Sequence, residues 1–396
     1  MKTDTFTIPG FKASAVAAGL KKNNTVDLAL IFSDKEAVAA GVFTTNKVKA
    51  APVLLCMDHI HIGKARAIVA NAGNANACTG KMGMENARQT ADLVAKELGI
   101  QSNEILVAST GVIGAQLKIE LIQKAIPDLV RNLSPEGFTE AVKAIMTTDS
   151  FPKMSRFDGM IDGKPYHILG IAKGAGMIMP QMATMLCFIL TDIRINVHDL
   201  KKALSTAVEA SFNRITVDGD TSTNDTVLIL ANGMAANRTM NAQDLEMFQK
   251  GLNQVGIELA AMIVRDGEGA TKVVHIRLKG AASEEEANIA TRTVANSSLV
   301  KTAFYGQDPN WGRILAALGR SNISMKEEGI SIWIDDIQIV EKGMGLGPKQ
   351  EKKAAENMHN KEFHLTIDLN QGNHEYTMIT CDLTHEYVSI NADYRT

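Results

Sequence analysis

Lys173-Gly-Ala-Gly-Met-Ile-Met-Pro-Gln-Met-Ala-Thr-Met-Leu186 is the stretch from which the rest of the chain can be read. Gly174 and Gly176 allow backbone conformations closed to other residues, and Pro180 cannot donate to a ladder. The apolar run 185–190, Met-Leu-Cys-Phe-Ile-Leu, follows at once. Its length and continuity predict a strand covered on both faces. A loop feeding a buried strand is the result, with Thr184 at the junction.

Two chemistries are open to Thr184. As an internal residue it is a strand-entry threonine whose hydroxyl satisfies a backbone group. If the Ala183–Thr184 bond is cut, the same residue carries a hydroxyl and a free α-amine. An α-amine titrates near ~8, so at neutral pH part of it is unprotonated and can serve as base for its own hydroxyl. The small side chain of Ala183 leaves the preceding carbonyl open to attack by that hydroxyl.

The 396 residues suffice for two or three domains, or for one large layered unit with an appendage. A hydrophobic fraction of 45% with only 5% aromatics predicts an aliphatic core, and 19 methionines suit adaptable packing. Acids and bases nearly balance at −3, which argues against a nucleic-acid binder. Cys56, Cys78, Cys187 and Cys381 are scattered without a CxxC pair, so neither a disulfide framework nor a zinc site is expected. That pattern fits a reducing cytoplasm. No apolar run approaches the ~20 residues of a membrane span, and the N-terminus lacks a signal-peptide core.

Outward from the central stretch, strands are predicted over 26–32, 37–43, 65–70 and 104–108, with a helix over 84–98. Further helices are expected over 119–133, which Pro127 should break or kink, and over 135–146 with Ser134 as N-cap. Residues 156–172 read as a hairpin about Asp162-Gly163. In the second half, helices are predicted over 196–211, 241–264 and 284–299, with another starting at Asn310. Strands are predicted over 226–231, 272–278, 330–334 and 337–340, with a hairpin over 363–381 and a last strand over 387–390. Asp218, Asp220 and Asp225 lack calcium-loop spacing and read as turn residues. His59 and His61 have no third ligand in view, so no metal is expected. Strands and helices mix without strict alternation, which predicts an α+β fold.

The run 173–186 resembles the processing site of the ornithine acetyltransferase family, the glutamate N-acetyltransferases of arginine biosynthesis. Other matching pieces are Ser109-Thr-Gly-Val-Ile-Gly114, Asn71-Ala-Gly-Asn-Ala-Asn76, Arg265-Asp-Gly-Glu-Gly-Ala-Thr271 and Ser389-Ile-Asn-Ala-Asp-Tyr-Arg-Thr396. Ala175, Met179 and Gln181 depart from the family pattern, and none of them touches Ala183 or Thr184. The resemblance implies layered mixed β-sheets flanked by helices, a smaller C-terminal region, and self-processing of the N-terminal-nucleophile type. Cleavage would leave fragments 1–183 and 184–396, two copies of each forming a heterotetramer.

Thr184 is then the nucleophile, while Thr110 and Gly111 match the family's oxyanion pair; Ser-Thr-Gly by itself reads as a turn. Lys173, a point cation on a glycine-flexed loop, suits a substrate carboxylate. The resemblance further implies substrate contacts at Thr147 (rather than its neighbour Thr148), Thr184, Glu268, Asn391 and Thr396. Glu268 could bind an ornithine ammonium or order its loop. The implied activity moves acetyl from N-acetylornithine to glutamate through an acetyl-threonine, with acetyl-CoA a further candidate donor and no cofactor. Its rival is an amidase or aminopeptidase that uses water as acceptor; a binding protein with a structural Thr184 is the third alternative.

Overall fold

The computed structural model describes residues 6–22, 24–179 and 185–393. Ala183, Thr184 and Thr396 lie outside the described residues. Two mixed sheets and the helices packed on them make up the fold. The first half supplies strands β1 (Phe11–Val16), β2 (Leu28–Phe43), β3 (Lys64–Asn71), β4 (Ile105–Ser109), β5 (Lys153–Ile161), β6 (Lys164–Lys173) and β7 (Leu186–Thr191). The second supplies β8 (Ile215–Thr216), β9 (Thr226–Ala231), β10 (Val273–Ala281), β11 (Ser331–Ile334), β12 (Ile337–Glu341), β13 (Met344–Gly345), β14 (Glu362–Asp368) and β15 (His374–Cys381). The large sheet runs β4-β3-β2-β9-β7-β6-β5, with β1 on the outer half of β2. The smaller one runs β13-β12-β11-β14-β10-β15-β8.

The helices are α1 (Ala51–His59), α2 (Gly80–Leu98), α3 (Ile119–Arg131), α4 (Phe138–Ile145), α5 (Val197–Ala210), α6 (Ala242–Arg265), α7 (Glu284–Ala295), α8 (Ser298–Tyr305), α9 (Trp311–Gly319), α10 (Pro348–Asn357) and α11 (His385–Asp393). Every residue of β7 is buried, as its continuous apolar run requires. Cys187 and Ile189 face a core shared with α5 and α6. Leu186, Phe188 and Leu190 face another, shared with β1 and α4. Burying each such Leu, Ile or Phe is favourable by about 1.5–3 kcal/mol. A separate core lies between the small sheet and α7, α9 and α10.

Several expectations need correction. The two strands expected over 26–43 are one strand, β2, because its halves serve different neighbours: residues 28–33 pair with β1 and 38–43 with β9. Pro127 sits inside an unbroken α3. It is exposed, and so is Gln123, whose carbonyl loses its bond, while Ile122, Ile126 and Leu129 anchor the opposite face. Ser134 does not cap a helix. Its backbone is paired with Ala13 of β1 in both directions, which delays the start of α4 to Phe138. The Asp162-Gly163 hairpin is present, with both turn residues at positive φ. The hairpin expected over 363–381 is not: β10 lies between β14 and β15, parallel to the first and antiparallel to the second. The last expected strand is the helix α11, and α1 and α10 carried no prediction.

Candidate active site

A cavity of about 210 Å³ opens where the ends of β4 and β6 meet the loop before β9. Thr110, Gly111, Thr147, Thr148, Lys173, Glu268 and Asn391 all line it. Residues more than 200 positions apart in sequence are therefore brought to one wall-to-wall site. Ala183, Thr184 and Thr396 lie outside the described residues, but the chain on both sides of 180–184 reaches this region. Gly176 and Met177 line the cavity, and Met185 donates its N–H to Asp225 Oδ1 at 3.0 Å.

Thr110 and Gly111 follow β4 in a turn fixed by the Asn71–Asn76 loop, where the Thr110 N–H donates to Asn71 O at 2.9 Å. Gly111 has φ +128°, and a Cβ there would lie 2.4 Å from the Gly73 carbonyl carbon. Only glycine fits. Among the described residues nothing accepts from the Gly111 N–H, so it remains available as a donor. Asn224 fastens this corner to the second half of the chain, donating to Ala75 O at 2.7 Å and to Ser109 O at 2.8 Å.

Lys173 is the last residue of β6 and is 3% exposed, which excludes the solvated lysine of a flexible loop. Its Nζ donates to Thr147 Oγ1 at 2.8 Å and to Thr110 Oγ1 at 3.3 Å. Burial lowers the Lys173 pKa, while Asp149, with Oδ2 4.0 Å from the ammonium, opposes that fall. Of the adjacent threonines, Thr147 is the one joined to Lys173.

Asp149 organises this wall, and sequence reasoning missed it. Its carboxylate accepts from Thr147 N at 2.9 Å, Gly174 N at 2.6 Å and Lys153 Nζ at 2.8 Å. Lys153 is wholly buried and reaches Asp266 at 2.5 Å, and Asp266 also accepts from Ser150. Burial by itself would raise the Asp149 carboxyl, but Lys173 and Lys153 outweigh it and hold the group at about 2. A lysine and an aspartate 113 positions apart carry no spacing signal. Buried charges need partners, so a lysine beginning the alternating strand β5 was the available clue.

The opposite wall is acidic. The Glu268 N–H donates to Ala175 O at 3.0 Å, and its Oε2 accepts from Asn391 Nδ2 at 2.8 Å. Asp218, expected only as a turn residue, accepts from Met177 N at 2.6 Å and Ile178 N at 2.9 Å, pinning the segment that leads to residue 180. Burial raises its carboxyl to about 6 against the pull of those amides. The Tyr387 hydroxyl reaches Asp218 at 3.3 Å, and burial together with that carboxylate raises its pKa. Asp225 is fully buried, and its Oδ2 accepts no hydrogen bond among the described residues. Burial pushes its carboxyl well above the usual range.

His59 does not share a strand face with His61. It ends α1, with its Nδ1 2.8 Å from Ile105 O, and His61 lies in the following 3-10 turn. No group of three metal-ligating side chains occurs among the described residues. The cavity thus offers a cation and two hydroxyls on one side, a free N–H at the turn, and carboxylates opposite. Its size suits a molecule as small as an amino acid.

Comparison with known proteins gives a consistent picture. The ArgJ family model matches residues 12–396. The arginine biosynthesis bifunctional protein ArgJ of Geobacter sulfurreducens is 50% identical over 391 residues, covering 98% of this chain and 100% of that protein. The mitochondrial protein of the same name from Dictyostelium discoideum is 44% identical over 419 residues, covering 100% of this chain and 94% of its own. A crystal structure of the Bacillus halodurans protein is 41% identical, with a TM-score of 0.50. It covers 52% of this chain and 98% of that chain.

Proposed function

The chain belongs to the ArgJ family of bifunctional arginine-biosynthesis enzymes, and on that footing we propose how its own residues move acetyl from N-acetylornithine to glutamate. The Thr184 hydroxyl attacks the Ala183 carbonyl, the peptide becomes an ester, and water releases fragments 1–183 and 184–396. The freed α-amine then deprotonates the neighbouring hydroxyl. Thr184 Oγ adds to the acetyl carbonyl of N-acetylornithine, and the oxyanion is met by the Thr110 hydroxyl and the Gly111 N–H. The C–N bond breaks, the α-ammonium returns its proton to the leaving amine, and ornithine departs. The glutamate amine attacks the acetyl-threonine by the same steps in reverse.

One observation carries this reading: Thr110, Gly111, Thr147, Lys173, Glu268 and Asn391 converge on a single small cavity that the segment leading to residue 180 enters at Gly176 and Met177. Lys173 suits the substrate carboxylate, and Glu268 with Asp218 suits the ornithine ammonium. A solved relative matched over 98% of its own length yet covering 52% of this chain supports a break near the middle. Two copies of each fragment in the cytoplasm complete the proposal. Four free cysteines fit a reducing compartment.

Intact-mass measurement tests the scheme. Wild type should give two polypeptides, 1–183 and 184–396, divided between residues 183 and 184, and N-acetylornithine should add one acetyl group to the second. Thr184→Ala should give one uncut, inactive chain. An uncut wild type with full activity would refute it. Release of acetate without glutamate at the rate of transfer would favour an amidase that uses water.

A further inference from the structure

Asp225 has no task in the scheme above, yet it touches the chain beside the cut. It stands immediately before β9, and its side chain is wholly buried. One carboxyl oxygen, Oδ1, accepts the Met185 N–H at 3.0 Å. Backbone bonds on both sides reinforce that contact: Thr226 N–H donates to Met185 O at 3.1 Å, and Thr44 N–H donates to Asp225 O at 3.0 Å. Met185 follows Thr184, and bond lengths and angles keep successive backbone nitrogens within about 4 Å of each other. Covalent connectivity therefore brings the Thr184 nitrogen, the atom that cleavage releases, to the neighbourhood of this carboxyl.

The second oxygen, Oδ2, is buried and accepts no hydrogen bond among the described residues. Buried polar atoms are nearly always paired, because an unmet acceptor costs folding free energy. Around the carboxyl stand the Thr44 hydroxyl after β2, the Ser222 hydroxyl in the loop before β9, and the Lys173 ammonium at the end of β6. The Thr44 hydroxyl donates to Ser222 O at 2.7 Å, and the Ser222 hydroxyl accepts the Asn224 N–H at 3.0 Å. Lys173 gives its hydrogen bonds to Thr147 and Thr110. Burial raises the carboxyl well above the usual range, and the Met185 amide, the Lys173 charge and the two hydroxyls offset only part of that rise. A carboxyl in this setting keeps a proton that an exposed aspartate gives up.

We propose that Asp225 is a catalytic residue for self-cleavage: its carboxyl gives a proton to the Thr184 nitrogen as that nitrogen leaves Ala183, and Oδ2 then serves as its counter-ion. The proposal rests on the Thr184 scheme above and supplies the acid that scheme lacks. Thr184 Oγ adds to the Ala183 carbonyl carbon, a C–O bond forms, and the C–N bond breaks. The departing nitrogen carries one hydrogen in the peptide; it takes a second from the hydroxyl and a third from Asp225. An ester, an α-ammonium and a carboxylate result, with protons and net charge unchanged and no outside acid or base. In the cleaved protein the carboxylate takes its proton back, which leaves the amine neutral and able to act as base in acetyl transfer.

Cell-free synthesis of the full chain, sampled over time by intact mass, gives the rate of cleavage. Asp225→Asn keeps the shape and an acceptor for the Met185 N–H but has no acidic proton. It should slow cleavage by about 10²–10⁴, the range of a general acid, with the circular dichroism of wild type. Asp225→Glu keeps the proton but fits less well, and it should cleave faster than Asp225→Asn; a merely structural acceptor predicts the reverse order. The wild-type rate should fall as pH rises and the carboxyl ionises. Asp218→Asn, which removes another raised carboxyl of the pocket, should keep that fall, and Asp225→Asn should lose it. If Asp225→Asn does not fold, the Glu variant and the two remaining pH profiles decide. Cleavage of Asp225→Asn at the wild-type rate, or a wild-type rate independent of pH, would overturn the assignment. A wild type that never cleaves would instead remove the Thr184 scheme itself.

Discussion

On the acidic wall of the pocket, burial has lifted Asp218 to about 6, so at neutral pH this carboxyl is mostly ionised. As pH falls through 6 it takes up a proton and the pocket loses part of its attraction for an ammonium group. KM for N-acetylornithine should therefore rise below about pH 6, and Asp218→Asn should abolish that inflection while showing the raised KM throughout. The fold should tolerate the range. A raised carboxyl costs stability above its pKa and is relieved on protonation. Asp149, held at about 2, contributes stability that is present above about pH 4 and is lost progressively as pH falls from there through 2. Thr110 makes a second residue-scale prediction. If its hydroxyl meets the oxyanion, Thr110→Ala should lower kcat by roughly 10²–10³ and leave cleavage products of normal mass if processing uses other donors. A variant with full kcat would exclude the role. Thr110, Lys173 and Glu268 could be named from motif order, whereas Asp149 and Asp218 could not, because their partners are backbone amides and a lysine supplied by other segments.

Among the elements, α11 is the least secured: none of its residues is buried and Val388 is 63% exposed. Polar ties hold it, Tyr387 to Asp218 and Asn391 to Glu268. Asn391→Ala should speed hydrogen exchange across 385–393 and raise substrate KM with little change in Tm, since no apolar burial is lost. An unchanged exchange rate would show that the helix is held elsewhere. This weakness also explains why a strand was expected there. Tyr387 to Ile390 have strand composition but no sheet edge to join, and capture by the pocket rim decides the conformation. The misread hairpin over 363–381 has the same cause. Its turn chemistry is sound, yet β10, more than eighty residues upstream, displaces the local pairing.

For the whole molecule, the order of strands determines what a cut at residue 184 can do. Fragment 1–183 would own β1 to β6, and fragment 184–396 would own β7 and β9. In the sheet β9 and β7 lie between β2 and β6, so the second fragment is inserted into the middle of the first. β6 and β7 pair from Lys173↔Leu186 to Ile168↔Thr191, and β2 and β9 from Val38↔Ala231 to Phe43↔Thr226. The fragments should therefore elute together and unfold in one urea transition. Separation of native fragments by size would contradict this topology.

The sequence by itself determined a buried strand at 185–190, one residue out of register with β7, the mixed α+β composition, the family and the residues offered to the pocket. These follow from local patterns: an unbroken apolar run, turn dipeptides, and motifs in a fixed order. Only the tertiary structure decided that β10 splits β14 from β15, that Lys153 lies buried between Asp149 and Asp266, and that the Asp225 carboxyl meets the chain beside residue 184. Each of these joins segments far apart in the chain, and the free energy of such contacts depends on burial and geometry that no single segment contains.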